Sequence, residues 1–243
     1  MNNGAFITVN NIVKRYKKRT ALDHVSFDIG KGEIFGLIGP NGAGKSTFIS
    51  LLATISKPDS GDICIDGRSI IKHPGDFRGR IGYVPQEVAL YPMLTANENL
   101  DFWAGIYGIE GQQKHHRIKT ALEYLKLADR ANDKVKTFSG GMKRRLNIAA
   151  SLLHRPEILI MDEPTAGVDV LSRNTIAEMM KDLQRASCTL IITSHYIDEL
   201  ELLCNRMAIL NKGKLLYTGT LNEVLKKAGA DSLQTLMLGL EEA

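Results

Sequence analysis

The run GPNGAGKST at residues 39–47 restricts the fold of this chain more than any other feature of its sequence. It follows an almost continuous apolar run, IFGLI at residues 34–38, which is the pattern of a strand buried on both faces. A helix is predicted to follow, from about residue 45 to 55. Glycines in such a strand-to-helix turn let backbone N–H groups wrap an anion, and the helix start adds partial positive charge. The run therefore predicts a phosphate-binding loop at one edge of a sheet.

The residue types in this loop match the spacing G-x-x-x-x-G-K-[ST], which gives its side chains distinct roles. Lys45 is placed to reach the β- and γ-phosphate oxygens of a nucleotide, and the hydroxyl of Ser46 to hold Mg²⁺. A glycine-rich turn without a ligand is the simpler interpretation, but it does not account for the full spacing between a strand and a helix. The candidate phosphate-binding residues are Gly39, Pro40, Asn41, Gly42, Ala43, Gly44, Lys45, Ser46 and Thr47.

Two acidic residues follow a second buried strand pattern. The apolar run ILIMD ends in Asp162, and Glu163 comes next. Asp162 is suited to orient Mg²⁺, through water, and Glu163 to polarise an attacking water molecule. Taken alone, two acids that merely end a strand are an equally simple interpretation, and only the phosphate loop favours the chemical one.

Two further strand ends carry polar side chains to the same predicted edge. His195 follows the strand TLIIT, and Gln86 ends the strand that begins at Ile81. Gln86 is suited to touch Mg²⁺ or the water, and to report the nucleotide to the segment that follows. A packed structural role stays open for both residues on position alone.

The order of the predicted elements is that of an α/β core interrupted by helices. Strands are predicted at residues 25–29, 34–38, 62–67, 81–84, 158–162 and 189–193, with a hairpin turning at 211–213. Helices are predicted near residues 45–55, 95–107, 118–125, 139–155 and 176–183. Capping boxes at Thr95 with Glu98 and at Thr220 with Glu223 predict two helix starts.

This order also predicts the domain organisation. Residues 1–86 and 156–220 form the core, and residues 87–155 form a helical insert within it. The last segment, 221–243, is a short C-terminal helical tail.

Composition bounds the class of protein without naming it. The net charge of +4 is too small to imply a nucleic-acid partner, and none is expected. Cys64, Cys188 and Cys204 are widely spaced, which fits a reducing cytosol and argues against a zinc site or a disulfide framework. No leader and no apolar run of membrane-spanning length is expected. The basic clusters at 17–19 and 143–145 are expected to be solvated, with a phosphate or partner role left open.

A second glycine-rich helix start lies far from the first, in the run FSGGM. Ser139, Gly140 and Gly141 precede an amphipathic helix, where bare backbone N–H groups suit an approaching anion. One chain therefore carries two predicted anion-binding helix starts but only one phosphate-loop lysine.

The combination of these motifs, in this order, resembles the ATP-binding subunit of ABC transporters over nearly the whole chain. Residues 39–47 match the Walker A loop, Gln86 the Q-loop, and FSGGM the signature usually written LSGGQ. Asp162 and Glu163 match Walker B and its catalytic glutamate. Asp169 ends the D-loop match, and His195 matches the H-loop.

The resemblance also extends to the nucleotide base. Tyr16 matches the aromatic residue that stacks on adenine, supported by its place ahead of the first strands. Packing in the core is the other interpretation of Tyr16.

The resemblance implies an α/β P-loop NTPase core with a mixed sheet, an N-terminal antiparallel β subdomain and an inserted helical subdomain. It implies residues 1–220 as the ATP-binding domain, ATP and Mg²⁺ as cofactors, and catalysis by Glu163, His195 and Lys45. Mg²⁺ is expected on Ser46, Gln86 and Asp162. Ser139, Gly140 and Gly141 are expected to close over ATP held by a second ATPase subunit, either another copy or a paralogue.

The implied function is an ATPase that drives a separate membrane permease, from the cytoplasmic face of the cell membrane. Phe138 and Met142 depart from the usual signature, but Ser139 and Glu163 are intact, so hydrolysis is expected. The surrounding motifs resemble the subfamily that serves exporters of drugs, antibiotics, peptides, polysaccharides or ions. Two alternatives are a soluble ABC-type ATPase not coupled to transport and a non-hydrolysing regulatory ATP-binding subunit.

The segment 87–95 is predicted to dock onto the permease. It is a loop beside Gln86 that carries an apolar run from Leu90 to Leu94. Inward packing of these side chains is the alternative.

Overall fold

The computed structural model describes residues 5–17 and 19–242. Residues 1–4 and Lys18, which the sequence assigns to the core, and Ala243 in the tail lie outside the described residues.

The N-terminal part forms a four-stranded antiparallel sheet. Its strands are β1 (Ala5–Tyr16), β2 (Arg19–Gly30), β4 (Ser60–Ile65) and β5 (Arg68–Ser69), in the order β2-β1-β4-β5. The strand predicted at residues 25–29 is part of β2, where Val25, Phe27 and Ile29 are buried and Ser26 is exposed. Strand β1 was not predicted, and Tyr16 ends it, so the expectation that Tyr16 precedes the first strands is wrong.

A six-stranded mixed sheet forms the centre of the molecule. Its strands are β3 (Ile34–Ile38), β6 (Ile81–Val84), β7 (Ile158–Asp162), β8 (Thr189–Thr193), β9 (Arg206–Asn211) and β10 (Lys214–Gly219). The order is β10-β9-β3-β8-β7-β6, and all pairs are parallel except β9 with β10. The carboxyl ends of β3, β6, β7 and β8 therefore meet at one edge of the sheet, as predicted.

The continuous apolar run of β3 is explained by a separate hydrophobic core on each face of the mixed sheet. Phe35 and Leu37 belong to the core shared with the antiparallel sheet, where the rings of Phe35 and Phe27 stack with centroids 5.4 Å apart. Ile34 and Ile38 belong to the core shared with the helices on the opposite face. Successive side chains of a strand point to opposite faces, so both faces of β3 must be apolar.

The helices connect and cover these strands. They are α1 (Lys45–Leu52), α2 (Gly75–Arg78), α3 (Ala96–Ile106), α4 (Gly111–Tyr124), α5 (Gly140–Leu152), α6 (Val170–Arg185), α7 (Ile197–Leu203), α8 (Leu221–Ala228) and α9 (Leu233–Glu242). Both predicted capping boxes are present, at the starts of α3 and α8. Helix α1 ends at Leu52, before the predicted end near residue 55. Helices α8 and α9 both lie within residues 221–243, the segment that the sequence assigns to a helical tail.

Helices α3, α4 and α5 fall between residues 87 and 155, the segment that the sequence assigns to an insert. Over the ranges that the structure describes, no helix is both long and apolar enough to cross a membrane. The mixed α/β fold with an antiparallel N-terminal sheet and added helices agrees with the sequence prediction.

Candidate active site

The glycine-rich loop between β3 and α1 has the geometry that its sequence predicts. Gly44, at the start of α1, has φ +110°, and a Cβ there would lie 2.5 Å from the carbonyl oxygen of Ala21. Both the backbone conformation and the close approach of β2 therefore exclude a side chain at this position. The loop is consequently pressed against the antiparallel sheet, which fixes the first turn of α1.

The side chain of Lys45 lies inside this loop. It is 8% exposed, and its Nζ donates to the carbonyl oxygens of Gly39 at 2.6 Å and Pro40 at 3.1 Å. Burial lowers the pKa of Lys45, while the carboxylates of Glu163 and Asp162 act in the opposite direction. The ammonium is thus held by the loop backbone beside two carboxylates, where it can meet the oxygens of a phosphate chain.

The carboxylate of Glu163 contacts side chains that follow the two strands neighbouring β7. One carboxylate oxygen, Oε2, accepts a hydrogen bond from Nε2 of Gln86 at 3.0 Å. The other, Oε1, lies 2.7 Å from Nε2 of His195. The structure therefore brings together three of the predicted polar residues, which follow β6, β7 and β8.

The backbone of Glu163 is in the left-handed region, with φ +49°. Non-glycine residues rarely adopt this conformation, and they keep it only where the surroundings enforce it. Its N–H donates to Oγ1 of Thr193 at 3.0 Å, and the same hydroxyl donates to Oδ1 of Asp162 at 2.6 Å. Thr193 thus ties the ends of β7 and β8 together and orients Asp162.

These groups surround a cleft of about 490 Å³ at the carboxyl edge of the mixed sheet. The predicted site residues that line the cleft are Tyr16, Asn41, Gly42, Ala43, Gly44, Lys45, Ser46, Thr47, Gln86, Glu163 and His195. Gly39 and Pro40 lie in the loop behind Lys45, and Asp162 is buried behind Glu163. A single concave site therefore contains the predicted base-stacking, phosphate-binding and water-polarising side chains.

The glycine-rich start of α5 does not belong to this cleft. Ser139 is the N-cap of α5 and its hydroxyl accepts from the N–H of Met142 at 3.2 Å. Gly140 is exposed, and a Cβ there would be no closer than 3.6 Å to Gly167. At Gly141 a Cβ would lie 2.6 Å from Oδ2 of Asp169. Packing against the start of α6 therefore accounts for Gly141, whereas Ser139 and Gly140 present an accessible helix start.

Sequence reasoning missed three residues of this region. Arg19 lines the cleft, and its Nη2 donates to the carbonyl oxygen of Gly42 at 2.7 Å. Thr193 pairs with Asp162 across β7 and β8, and this register between distant segments gives no local signal in the sequence. Arg144 lies in a basic cluster that was expected to be solvated, and that expectation is wrong for it because its side chain is only 3% exposed.

The loop after Gln86 presents part of its apolar content to solvent. Tyr91 is 47% exposed and Met93 61%, whereas Leu90 packs against the core. The amide of Asn99 holds the loop, accepting from the N–H of Tyr91 at 2.7 Å and donating to its carbonyl oxygen at 3.0 Å. The loop is therefore a held, partly apolar surface that begins directly after Gln86, a residue lining the cleft.

Comparison with known proteins supplies the wider context. The family model described as "ABC transporter" matches residues 22–166. The linearmycin resistance ATP-binding protein LnrL of Bacillus subtilis is 48% identical over 98% of this chain and 76% of its own length. The Nod factor export ATP-binding protein I of Ralstonia nicotianae is 36% identical over 90% of this chain and 68% of its own length.

Solved structures agree with these relatives. The ATP-binding subunit of an ABC transporter superposes with a TM-score of 0.87 at 30% identity, covering 97% of this chain and 99% of its own. A dimeric ATP-binding cassette in a post-hydrolysis state, bound to ADP and Pi, gives a TM-score of 0.80 at 28% identity. It covers 88% of this chain and 98% of its own.

Proposed function

Because this chain belongs to the ABC transporter family of ATP-binding proteins and carries its ATPase domain, we propose that it drives a separate membrane permease that exports its substrate. The observation that carries the proposal is the Glu163 carboxylate, which Gln86 and His195 hold in the cleft that also contains Lys45. Hydrolysis needs a group that polarises water beside a group that binds the terminal phosphate, and this cleft offers both.

Each side chain has one role in this proposal. Tyr16 stacks on the adenine, and the loop N–H groups with Lys45 bind the phosphate oxygens. Glu163 accepts a hydrogen bond from the attacking water. This contact raises the negative charge on the oxygen of the water molecule. His195 orients Glu163 and lies near the γ-phosphate. The buried ammonium of Lys45 stabilises negative charge more strongly than it would in water.

The residues present also fit Mg²⁺. This ion prefers oxygen ligands, commonly one or two carboxylates together with substrate phosphates and water. Ser46 offers a hydroxyl oxygen, Asp162 a carboxylate, and Gln86 the amide oxygen that remains after its Nε2 donates to Glu163. The Thr193 hydroxyl engages only Oδ1 of Asp162, which leaves Oδ2 for the ion or its water. When bound, Mg²⁺ would neutralise charge on the phosphate oxygens.

The chain is proposed to act as a dimer with two shared sites. The helix start at Ser139 and Gly140 is accessible but does not line the cleft of Lys45. A two-fold arrangement would bring this helix start onto ATP bound by the opposite chain. The similar structure that is dimeric and holds ADP and Pi supports a dimer.

Coupling to the membrane is proposed to pass through residues 87–95. The exposed side chains of Tyr91 and Met93 give this loop an apolar surface directly after Gln86. The names of the two relatives, which refer to linearmycin resistance and Nod factor export, support an exporter. The chain would then lie on the cytoplasmic face of the cell membrane, held there by the permease. The division into core 1–86 and 156–220, insert 87–155 and tail 221–243 remains part of this proposal.

Two measurements test the proposed function against its alternatives. Steady-state ATPase activity of the purified chain, compared with Lys45→Ala, separates a hydrolysing subunit from a non-hydrolysing one. Isolation of the tagged chain from solubilised membranes, with identification of an integral membrane partner, separates a transporter subunit from a soluble ABC-type ATPase. An active chain that isolates from solubilised membranes with no integral membrane protein would favour the soluble alternative.

A further inference from the structure

The guanidinium of Arg144, in the second turn of α5, is buried among backbone carbonyls. Its side chain is 3% exposed. Nε donates to the carbonyl oxygen of Pro164 at 2.9 Å, and Nη1 to those of Pro85 at 2.5 Å and Gln86 at 3.0 Å. Nη2 donates to those of Asp162 at 2.6 Å and Glu163. A guanidinium has five N–H donors, and these five hydrogen bonds use all of them.

The five carbonyls come from two segments that carry the chemistry. Pro85 and Gln86 follow β6, and Asp162, Glu163 and Pro164 lie at the end of β7 and just beyond it. These strands are parallel neighbours, so their ends adjoin. One side chain from α5 therefore joins the backbone of Gln86 to the backbone of Glu163, in addition to their direct side-chain hydrogen bond.

This contact also encloses the strained backbone of Glu163. The residue has φ +49°, and Arg144 holds its carbonyl oxygen and those of Asp162 and Pro164 on either side. A left-handed non-glycine residue persists only where several contacts enforce it. Arg144 supplies three consecutive contacts of this kind.

The neighbouring arginine provides an internal comparison. Nη1 of Arg145 donates to the carbonyl oxygens of Leu125 at 2.8 Å and Lys126 at 3.3 Å. Both acceptors lie at the end of α4, on the helical side of the molecule. Arg145 thus anchors α5 to α4, whereas Arg144 anchors α5 to the candidate active site.

We propose that Arg144 is a positioning residue that links the Ser139 end of α5 to the Gln86 and Glu163 pair. Ser139 lies five residues before Arg144, or about 7.5 Å along a rigid helix at 1.5 Å per residue. When ATP on the opposite chain contacts Ser139 and Gly140, the position of α5 is transmitted through the guanidinium to the backbone of Glu163. This inference rests on the proposed function, because it needs an ATPase with a shared site.

A lysine at this position can reproduce the arginine only in part. An ammonium has three donors on one atom, whereas the planar guanidinium spreads five donors over a fork. Arg144→Lys should therefore keep the charge and some of the carbonyl contacts, and Arg144→Gln should keep neither the charge nor the fork.

The experiment compares Arg144→Gln, Arg144→Lys and the matched control Arg145→Gln in the full-length chain. The measurements are the melting temperature, the affinity for a fluorescent ATP analogue, and kcat and KM for ATP hydrolysis. For Arg144→Gln we expect kcat to fall about 10- to 100-fold, the range for misplacing a catalytic group by about 1 Å, with nucleotide affinity changed less than about 3-fold. Arg144→Lys should recover part of kcat, and Arg145→Gln should keep kcat within about 2-fold.

Three results would overturn the inference. The first is an unchanged kcat in Arg144→Gln, and the second is an equal fall in kcat in Arg144→Gln and Arg145→Gln. The third is a fall in kcat that is the same in both Arg144 variants and is accompanied in both by weaker nucleotide binding and a lower melting temperature. A merely structural role of Arg144 predicts this result. A wild-type chain that binds ATP without hydrolysing it would instead contradict the proposed function itself.

Discussion

The imidazole Nε2 of His195 lies 2.7 Å from Oε1 of Glu163, so the histidine holds one oxygen of the carboxylate that is proposed to polarise water. The Gln86 amide holds the other oxygen. Each carboxylate oxygen has two lone pairs, so Glu163 can still accept a hydrogen bond from water while both contacts persist. Gln86 directly precedes the loop that is proposed to meet the permease, so one side chain joins that loop to the carboxylate.

The first prediction concerns the charge of Glu163. Glu163→Gln keeps the size of the side chain and removes the carboxylate, so ATP should still bind. Turnover should fall at least about 10²- to 10⁴-fold, the usual cost of losing an acid–base group, and an ATP-bound dimer should accumulate. Steady-state ATPase rates and size-exclusion chromatography with ATP measure the two effects.

Glu157→Gln is a suitable control for this prediction. Glu157 directly precedes β7, so it lies at the amino end of this strand, whereas Glu163 follows its carboxyl end. There Glu157 pairs with Arg80 on the surface. Near-normal hydrolysis by Glu163→Gln, or an equal loss in both variants, would refute the assigned role of Glu163.

The second prediction concerns Tyr16, whose ring is 49% exposed at the cleft. Nζ of Lys14 lies 5.3 Å from the ring centroid, so the other ring face is the one left for adenine. Tyr16→Ala should weaken ATP binding by about 1–3 kcal/mol, by analogy with base stacking on aromatic side chains. Tyr16→Trp should be tolerated, and other nucleoside triphosphates should bind as well. Equal ATP affinity in Tyr16→Ala, measured by calorimetry, would exclude stacking.

The third prediction concerns the apolar loop at residues 87–95. Tyr91→Asp should leave ATP affinity and melting temperature nearly unchanged, since the ring is half exposed, but should weaken co-purification with the permease. Leu216→Asp is the control, because Leu216 is exposed on β10, at the edge of the sheet opposite β6. A large drop in melting temperature for Tyr91→Asp would show that the loop serves packing instead.

The fourth prediction concerns pH. His154 stacks on Tyr107 with ring centroids 4.0 Å apart, and its Nε2 lies 3.1 Å from the carbonyl oxygen of Ile81. Its Nδ1 is buried, and no hydrogen-bond partner for it is found in the described part of the chain. The pKa of His154 is lowered from its usual 6.5, mainly because the imidazole is buried. The contact with the Ile81 carbonyl raises this pKa, and the positive charge of Arg117 lowers it further.

The sign of the pH effect follows from this direction. The unfolded chain binds a proton at higher pH than the folded chain does, so stability is lost as pH falls from about 6.5 through the lower folded pKa. Between about pH 8 and pH 5.5, the melting temperature of the wild type should fall more than that of His154→Phe, which keeps the ring contact without titrating. His116→Gln, at an exposed histidine of α4, should behave as the wild type. Identical pH profiles for wild type and His154→Phe would refute this.

The elements that sequence predicted well are those with a strong local signal. The apolar run of β3, the capping boxes at Thr95 and Thr220, and the glycine-rich loop each depend on contacts within a few residues. The residues that were missed depend on distant contacts. Thr193 acts through Asp162 on the neighbouring strand, and Arg144 is buried only because two strand ends converge on it.

The central claim is that each active site is shared between two chains. Mixing two inactive variants tests this claim most directly. Lys45→Ala spoils the site that a chain provides for its own ATP, and Ser139→Arg blocks the helix start that it lends to its partner. Each homodimer then has two defective sites. In a mixed dimer, one site pairs the intact Lys45 of one chain with the intact Ser139 of the other, and the second site collects both defects.

The measurement is the ATPase rate as a function of the mixing ratio, after each variant is shown to fold. A shared site predicts inactive pure variants and a rate that rises on mixing, to at most about half of the wild-type rate per mixed dimer if the sites act independently. If Ser139 acts on ATP bound by its own chain, no mixed dimer contains a complete site. A rate that stays at zero at every ratio, with mixed dimers confirmed by pull-down of differently tagged chains, would contradict the shared site.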